Sequence, residues 1–359
     1  MQKAYLTLAD GCVYSGFAFG YPGEAVGELV FTTSMSYLET LTDPCYYGQI
    51  VVEAFPLVGN YGVIPADLDA PAPTLSAFIV RDLATVPSNF RCEGTLDDYL
   101  RENKIPGIYG IDTRSLIRHI RDRGTMNAKI TVAPPQPEDI LPELKEFSLK
   151  NAVLSVSRSE RETLALDGAK YRVALWDMGV NRSILSGLSD AGCEITVFPA
   201  DSKHEDMLRG FDGIVISGGP GAPEDNEAVI GAIADFLDKK IPLLGIGLGH
   251  QLIALAAGGK TEKLPYGHRG VNQPVCRVAD GRVFSTSQNH GYSVVAASLA
   301  GKANETFRNI NDGSCEGLEY ISSPAVSIQF TPDCGQSPQN TGYIYEDFAK
   351  MMEGGKTNA

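Results

Sequence analysis

A chain of 359 residues exceeds one ordinary domain, so two are expected. Its hydrophobic fraction of 43% and charged fraction of 21% are those of a globular protein, and a net charge of -14 argues against nucleic acid or an anionic membrane as the main partner. No apolar run reaches the ~18 residues a spanning helix needs, so no membrane partner is expected. The seven cysteines are scattered, odd in number and without Cys-x-x-Cys pairs, which points to reduced thiols in a cytoplasmic chain and away from a disulfide framework or a zinc site.

The first eight residues, Met1 to Leu8, alternate like a strand and are too short and polar for a signal peptide. Short strands and turns follow, with apolar runs at Leu29-Val30-Phe31 and Ile50-Val51-Val52 and frequent Gly and Pro. One helix is well signalled. Asp112 caps it, Leu116, Ile117 and Ile120 share a face, and Gly124 stops it. Arg114, Arg118, Arg121 and Arg123 on that helix read first as a solvated face and second as a docking face for an acidic partner. The chain divides around the polar, aperiodic stretch 155–162. The expected organisation is a first domain over 1–150, a linker over 151–170 and a second domain over 171–355.

The second domain alternates strand and helix. Arg172–Trp176 is a strand, and a helix with Ile184, Leu185 and Leu188 on one face ends near Gly192. Strands at 193–198 and 213–216 follow, then a helix from about 226 to 239 with Val229, Ile230, Ile233 and Leu237 facing a core. Strands joined by single helices imply a mostly parallel sheet flanked by helices, with ligands at the carboxyl ends of the strands. Two Gly-rich turns, 217–221 and 245–249, fall at such ends and are expected to share one site. N–H groups around Gly219 and Gly221 suit a carboxylate or an oxyanion, and no Gly-Lys-Ser/Thr follows to make a phosphate loop. The second turn has the frame of a nucleophile elbow, a sharp strand-to-helix turn that lifts one reactive side chain above the sheet. Gly247 stands at the reactive position and has no side chain. The polar segment Thr286–Tyr292, bounded by strand-like runs, adds Asn289 as a group for an amide or carboxylate, while His290 alone reads as a structural histidine.

These motifs resemble a known family. Gly245-Ile246-x-Leu248-Gly249-His250-Gln251, Tyr266–Asn272 and Ser287–Tyr292 look like the class I glutamine amidotransferases, and more narrowly like the small subunit of carbamoyl-phosphate synthase. Phe31–Met35, Leu41–Pro44, Gly59–Gly62, Pro87–Phe90 and Gly110–Arg114 resemble that subunit's own first domain. The resemblance implies an α/β architecture: a first domain of mixed strands and helices, then an amidotransferase domain. It also implies a mechanism, in which an elbow cysteine attacks the glutamine carboxamide, a histidine makes the thiolate, a glutamate orients the histidine, and backbone N–H groups hold the oxyanion. Ammonia would then reach a large subunit, where ATP and bicarbonate bind and carbamoyl phosphate forms for pyrimidine and arginine synthesis. No cofactor or metal is implied for this chain itself.

The sequence departs from that pattern at the chemistry. The family's cysteine is Gly247, and its His-Pro-Glu is Thr331-Pro332-Asp333. Nucleophile and base are missing, and the orienting carboxylate is one methylene shorter. The glutamine-contact positions are Cys45, where the family has serine, and Gly219, Gly221, Leu248, Gln251, Asn289, Gly291 and Tyr292, which match. L-glutamine is the ligand those positions would take. Three roles follow. The first is a non-hydrolysing structural or regulatory partner of the large subunit. The second is a glutaminase with a non-standard nucleophile, for which Cys45 and Cys334 are the nearest candidates. The third is a repurposed binding module.

Overall fold

Seven strands close into a barrel in the first half of the chain, as seen in a computed structural model that describes residues 2–333 and 341–356. They are β1 (Lys3–Leu8), β2 (Val13–Gly20), β3 (Ala25–Thr32), β4 (Gln49–Glu53), β5 (Ala77–Ile79), β6 (Pro106–Tyr109) and β7 (Met126–Thr131). Their order is β1-β2-β6-β5-β4-β3-β7, with β7 pairing back onto β1. Pairings β3–β4, β4–β5 and β5–β6 are parallel. These strands are buried on both faces, which explains the uninterrupted apolar runs. Leu29, Ile50 and Val52 are fully buried, while Val30, Val51 and Phe78 join an outer cluster with Tyr37, Leu38, Leu41 and Leu96. Helix α1 (Thr113–Arg123) forms as its signals predict. Asp112 accepts a hydrogen bond from the Ser115 N–H, Gly124 ends the helix at φ 88°, and Leu116 and Ile120 are buried. Arg114, Arg118, Arg121 and Arg123 are exposed.

The chain separates into two units, Met1–Lys150 and Asn151–Ala359. The stretch 151–170, expected as a linker, is structured within the second unit. It holds α2 (Ala152–Val156) and β8 (Glu162–Leu164), and β8 pairs antiparallel with a strand of the second sheet. Its order comes from polar bonds that no hydrophobic period records. The Ser157 hydroxyl accepts from the Ala200 N–H at 2.8 Å, and the Asp177 carboxylate accepts from the Arg158 N–H at 3.0 Å.

The remaining strands are β9 (Tyr171–Trp176), β10 (Cys193–Phe198), β11 (Gly213–Ile216), β12 (Leu243–Ile246), β13 (Thr261–Arg277), β14 (Val283–Val294), β15 (Ala303–Asn309), β16 (Cys315–Tyr320) and β17 (Ala325–Ile328). With β8 they form one ten-stranded sheet, β8-β10-β9-β11-β12-β17-β16-β14-β13-β15. Five strands, β10-β9-β11-β12-β17, run parallel. The other pairings are antiparallel. Strand order reverses between β9 and β11, the switch point where such sheets bind ligands.

Helices cover both faces of the parallel part. Alternation along β9 sends Val173 and Leu175 to a cluster with Ile184 and Leu188 of α3 (Arg182–Asp190), and Ala174 and Trp176 to the opposite cluster. That second cluster holds Ile233 and Phe236 of α4 (Glu227–Asp238) and Leu252 and Ile253 of α5 (Leu248–Ala256). The polar segment 286–292 is not a connection between strands but lies wholly inside β14. Thr286, Gln288 and His290 point to the buried side there, so the period of two is present but carried by polar residues. Among the described residues no helix is long and apolar enough to cross a membrane.

Candidate active site at the strand-to-helix elbow

Both Gly-rich turns meet at the carboxyl ends of β11 and β12. The Gly249 N–H donates to the Ser217 carbonyl at 3.1 Å, tying the start of α5 to the first turn. A Cβ on Gly249 would lie 2.1 Å from the Ile216 carbonyl oxygen, so only glycine permits this approach. A Cβ on Gly219 would meet the Met178 carbonyl oxygen at 2.1 Å and Leu248 Cδ2 at 3.1 Å, which places Leu248 against that turn. Beneath it, the Ser217 hydroxyl accepts from the Met178 N–H and donates to the Gly218 carbonyl, both at 2.9 Å. Asp177, 1% exposed, accepts from the N–H groups of Gly179 and Val180 at 2.9 and 2.8 Å. Sequence reasoning missed Asp177 and Ser217, because their work is done through bonds between different strand ends.

At the elbow Gly247 sits at φ 58° and ψ -112° and its N–H donates to the Ile328 carbonyl at 2.9 Å. The turn is therefore built in full. A Cβ at this position would have Gly218 Cα at 3.3 Å and the Gln329 carbonyl oxygen at 3.9 Å as its nearest neighbours, so a side chain would fit only with a small shift of the facing turn. The first N–H groups of α5 have no partner inside their own helix; that of Gly249 is taken by Ser217, and the helix end as a whole is the positive end of its dipole.

The other predicted residues divide into those brought together and those not. Gln251, 3% exposed, donates from Nε2 to the Tyr292 carbonyl and to Gln329 Oε1, both at 2.9 Å. It thus ties α5 to β14 and to the strand that leads to Thr331. Asn289, Gly291 and Tyr292 lie on that same β14, all half-buried. Thr331 is half-buried, and its N–H donates to the Ser287 carbonyl at 3.0 Å. Asp333 is exposed, and its N–H donates to the Thr341 hydroxyl at 2.9 Å. Gly221, at φ 90°, ends the first turn. Cys45 belongs to the first unit, in a single helical turn over Pro44–Tyr46 whose Cys45 N–H donates to Asp43 Oδ1 at 2.9 Å. Cys334 lies outside the described residues. Gln329, also missed, links α5 and β16: its side chain accepts from Gln251 and its N–H donates to the Glu316 carbonyl at 2.9 Å.

No described histidine takes the base's place beside the elbow. His250 is fully buried, with Nδ1 2.7 Å from the Ser327 hydroxyl, and burial pushes its pKa down to about 3. His290 is turned away from the elbow, with Nδ1 2.7 Å from the Tyr292 carbonyl and Nε2 3.0 Å from Gln288 Oε1. What the site retains is a turn, a helix end and a strand able to hold a small polar ligand. Among the described residues, positions 247 and 331 present neither a thiol nor an imidazole.

An elbow over a switch-point turn defines the class. Residues 174–351 match the class-I glutamine amidotransferase family. Residues 6–130 match the carbamoyl-phosphate synthase small chain, CPSase domain. The carbamoyl phosphate synthase small chain of Syntrophotalea carbinolica is 44% identical, over 98% of this chain and 98% of that protein. The small chain of Clostridium perfringens is also 44% identical, over 97% and 99%, and that of Fusobacterium nucleatum 41%, over 98% and 99%. The chain belongs to the carbamoyl phosphate synthase small chains.

Proposed function

We propose that this small chain does not hydrolyse glutamine and acts as a structural or regulatory partner of a large synthase subunit, which draws on free ammonia. Gly247 carries the reading: the elbow is folded, yet its reactive position has only hydrogens. In a protease precedent, losing one member of a nucleophile–base pair costs on the order of 10⁶ in turnover. Here the base position is also a threonine, whose hydroxyl takes no proton near neutral pH, and Asp333 has no imidazole at position 331 to orient. The retained positions Gly219, Gly221, Leu248, Gln251, Asn289, Gly291 and Tyr292 support a pocket for L-glutamine without turnover. ATP and bicarbonate would bind the large subunit, in the cytoplasm, and this chain would need no cofactor.

Reconstitution with the large subunit tests the reading. Carbamoyl phosphate is expected with ammonium and not with glutamine. Glutamine-dependent synthesis that disappears in Cys45→Ala or Cys334→Ala would establish a non-standard nucleophile instead. Failure to bind any large subunit would leave a repurposed binding module.

A further inference from the structure

Behind the strand that carries Asn289 and Gly291 lies a group of buried polar side chains that the proposed role does not use. His268 on β13 and His290 on β14 are register partners, with ring centroids 4.9 Å apart and ring planes at 89°. Glu316 on β16 completes the group, and one donor atom from each residue lies within 4.8 Å of the others. Both histidines are 7% exposed and Glu316 is 0% exposed.

The hydrogen bonds fix which ring atoms face inward. His268 Nε2 lies 2.9 Å from Asp312 Oδ2 and donates to it. Its Nδ1 then turns toward Glu316 Oε1 and the Asn309 amide nitrogen, each at 3.4 Å. His290 Nδ1 lies 2.7 Å from the Tyr292 carbonyl, which only accepts, so Nδ1 carries the proton and Nε2 a lone pair. That lone pair faces Gln288 Oε1, a second acceptor, at 3.0 Å. The Gln288 amide is oriented by its other end, whose Nε2 donates to Glu316 Oε2 and to the Thr286 hydroxyl, both at 3.0 Å. Two buried acceptors aimed at each other are costly unless a proton or a cation lies beside them. Ser314 and Asn309 steady the carboxylate, at 3.3 and 3.4 Å from Glu316 Oε1.

An imidazole whose far nitrogen donates to a carboxylate or carbonyl is an imidazole aimed as a metal ligand. Two imidazoles and one carboxylate suit Zn²⁺ and its neighbours in the transition series, whereas Ca²⁺ and Mg²⁺ prefer oxygen donors. We propose that His268 Nδ1, His290 Nε2 and Glu316 bind one Zn²⁺-class divalent cation, which staples β13, β14 and β16 together. Asp312 and the Tyr292 carbonyl orient the two rings from outside.

Protons compete for the same place. Burial holds His290 neutral, its pKa well below the usual histidine value, with His268, Arg269 and His250 adding repulsion. Burial also disfavours charged His268, but Glu316 and Asp312 outweigh it and raise that pKa. Burial raises the Glu316 carboxyl, with His268 opposing. Imidazole and carboxylate ligate only in their unprotonated forms, so affinity is expected to fall on acidification.

The test uses the full chain, freed of metal with a chelator. Equilibrium dialysis is expected to find one tightly held Zn²⁺ per chain and a raised unfolding temperature. His268→Gln is expected to abolish binding. Asp312→Asn, an isosteric change at a side chain 41% exposed, is expected to weaken it 10- to 100-fold. Co²⁺ substitution is expected to give ligand-field bands without thiolate charge transfer, since no cysteine takes part. The proposal is overturned if no ion binds, or if binding survives both variants. It is also overturned if binding is lost in Cys12→Ser, which would place the ion on the separate Asp10–Cys12–His119 group of the barrel.

Discussion

At Gly247 an L side chain would be held at φ 58° and ψ -112°, a conformation that costs a residue with Cβ roughly 1–3 kcal/mol. Gly247→Ala is therefore expected to lower the unfolding temperature of the second unit by roughly 2–4 °C per kcal/mol, as followed by calorimetry. Gly247→Cys carries the same strain and is expected to release no glutamate alone, because position 331 offers no base. Gly247→Cys combined with Thr331→His is expected to release more glutamate than either single variant; equal rates in all three would sever the assigned pair. In the barrel, Glu53 at the end of β4 is 1% exposed, and burial pushes its carboxyl up to about 8. The folded state thus holds a proton that the unfolded chain releases near 4.5. Stability from this group is complete below that value and declines as pH rises through about 8. Glu53→Gln is expected to flatten this decline in a pH series of urea unfolding curves. At this scale Gly247, Thr331 and Asp333 stand out in the sequence because each departs from a motif. Asp177, Ser217 and Gln329 were not, since nothing local marks a residue whose partner is on another strand.

At the scale of elements, contact of α5 with β11 depends on Gly249. An added Cβ would meet backbone rather than a movable side chain, at 2.1 Å. Gly249→Ala is expected to destabilise by about 3 kcal/mol or more, at the upper end of overpacking, and circular dichroism should show loss of the second unit at a lower temperature. Asp112→Ala removes one cap bond and is expected to cost only about 1 kcal/mol. A larger loss from Asp112→Ala than from Gly249→Ala would contradict both accounts. The alternation of strand and helix after residue 170 was legible because α3, α4 and β9 to β12 bury regular apolar stripes. Strand β8 was read as linker because its partners are backbone and polar groups. The interior of β14 was hidden because Thr286, Gln288 and His290 fill its buried face in place of aliphatic residues.

For the whole molecule, relatives matching 97–98% of the chain show that the architecture is inherited intact. Fold and activity are separable properties, so an inherited architecture does not by itself fix what the elbow does. The two-unit arrangement was legible from the polar interval between two differently patterned halves. The closed barrel was not, since closure depends on β7 returning to β1 across most of the first unit. The expected behaviour of the complete protein is that ammonium, and not glutamine, sustains carbamoyl phosphate synthesis in the reconstituted complex.

The glycine elbow also decides how this protein would answer a chemical survey. Glutamine mimics that carry a chloroketone or diazoketone register amidotransferases by alkylating the elbow thiolate, and an N–H and two hydrogens offer them nothing to alkylate. Peptide mass mapping after such treatment is expected to show residues 243–256 unmodified. A proteome searched by labelling an elbow thiol would thus pass over this chain, and its presence would have to be established by abundance or by the company it keeps.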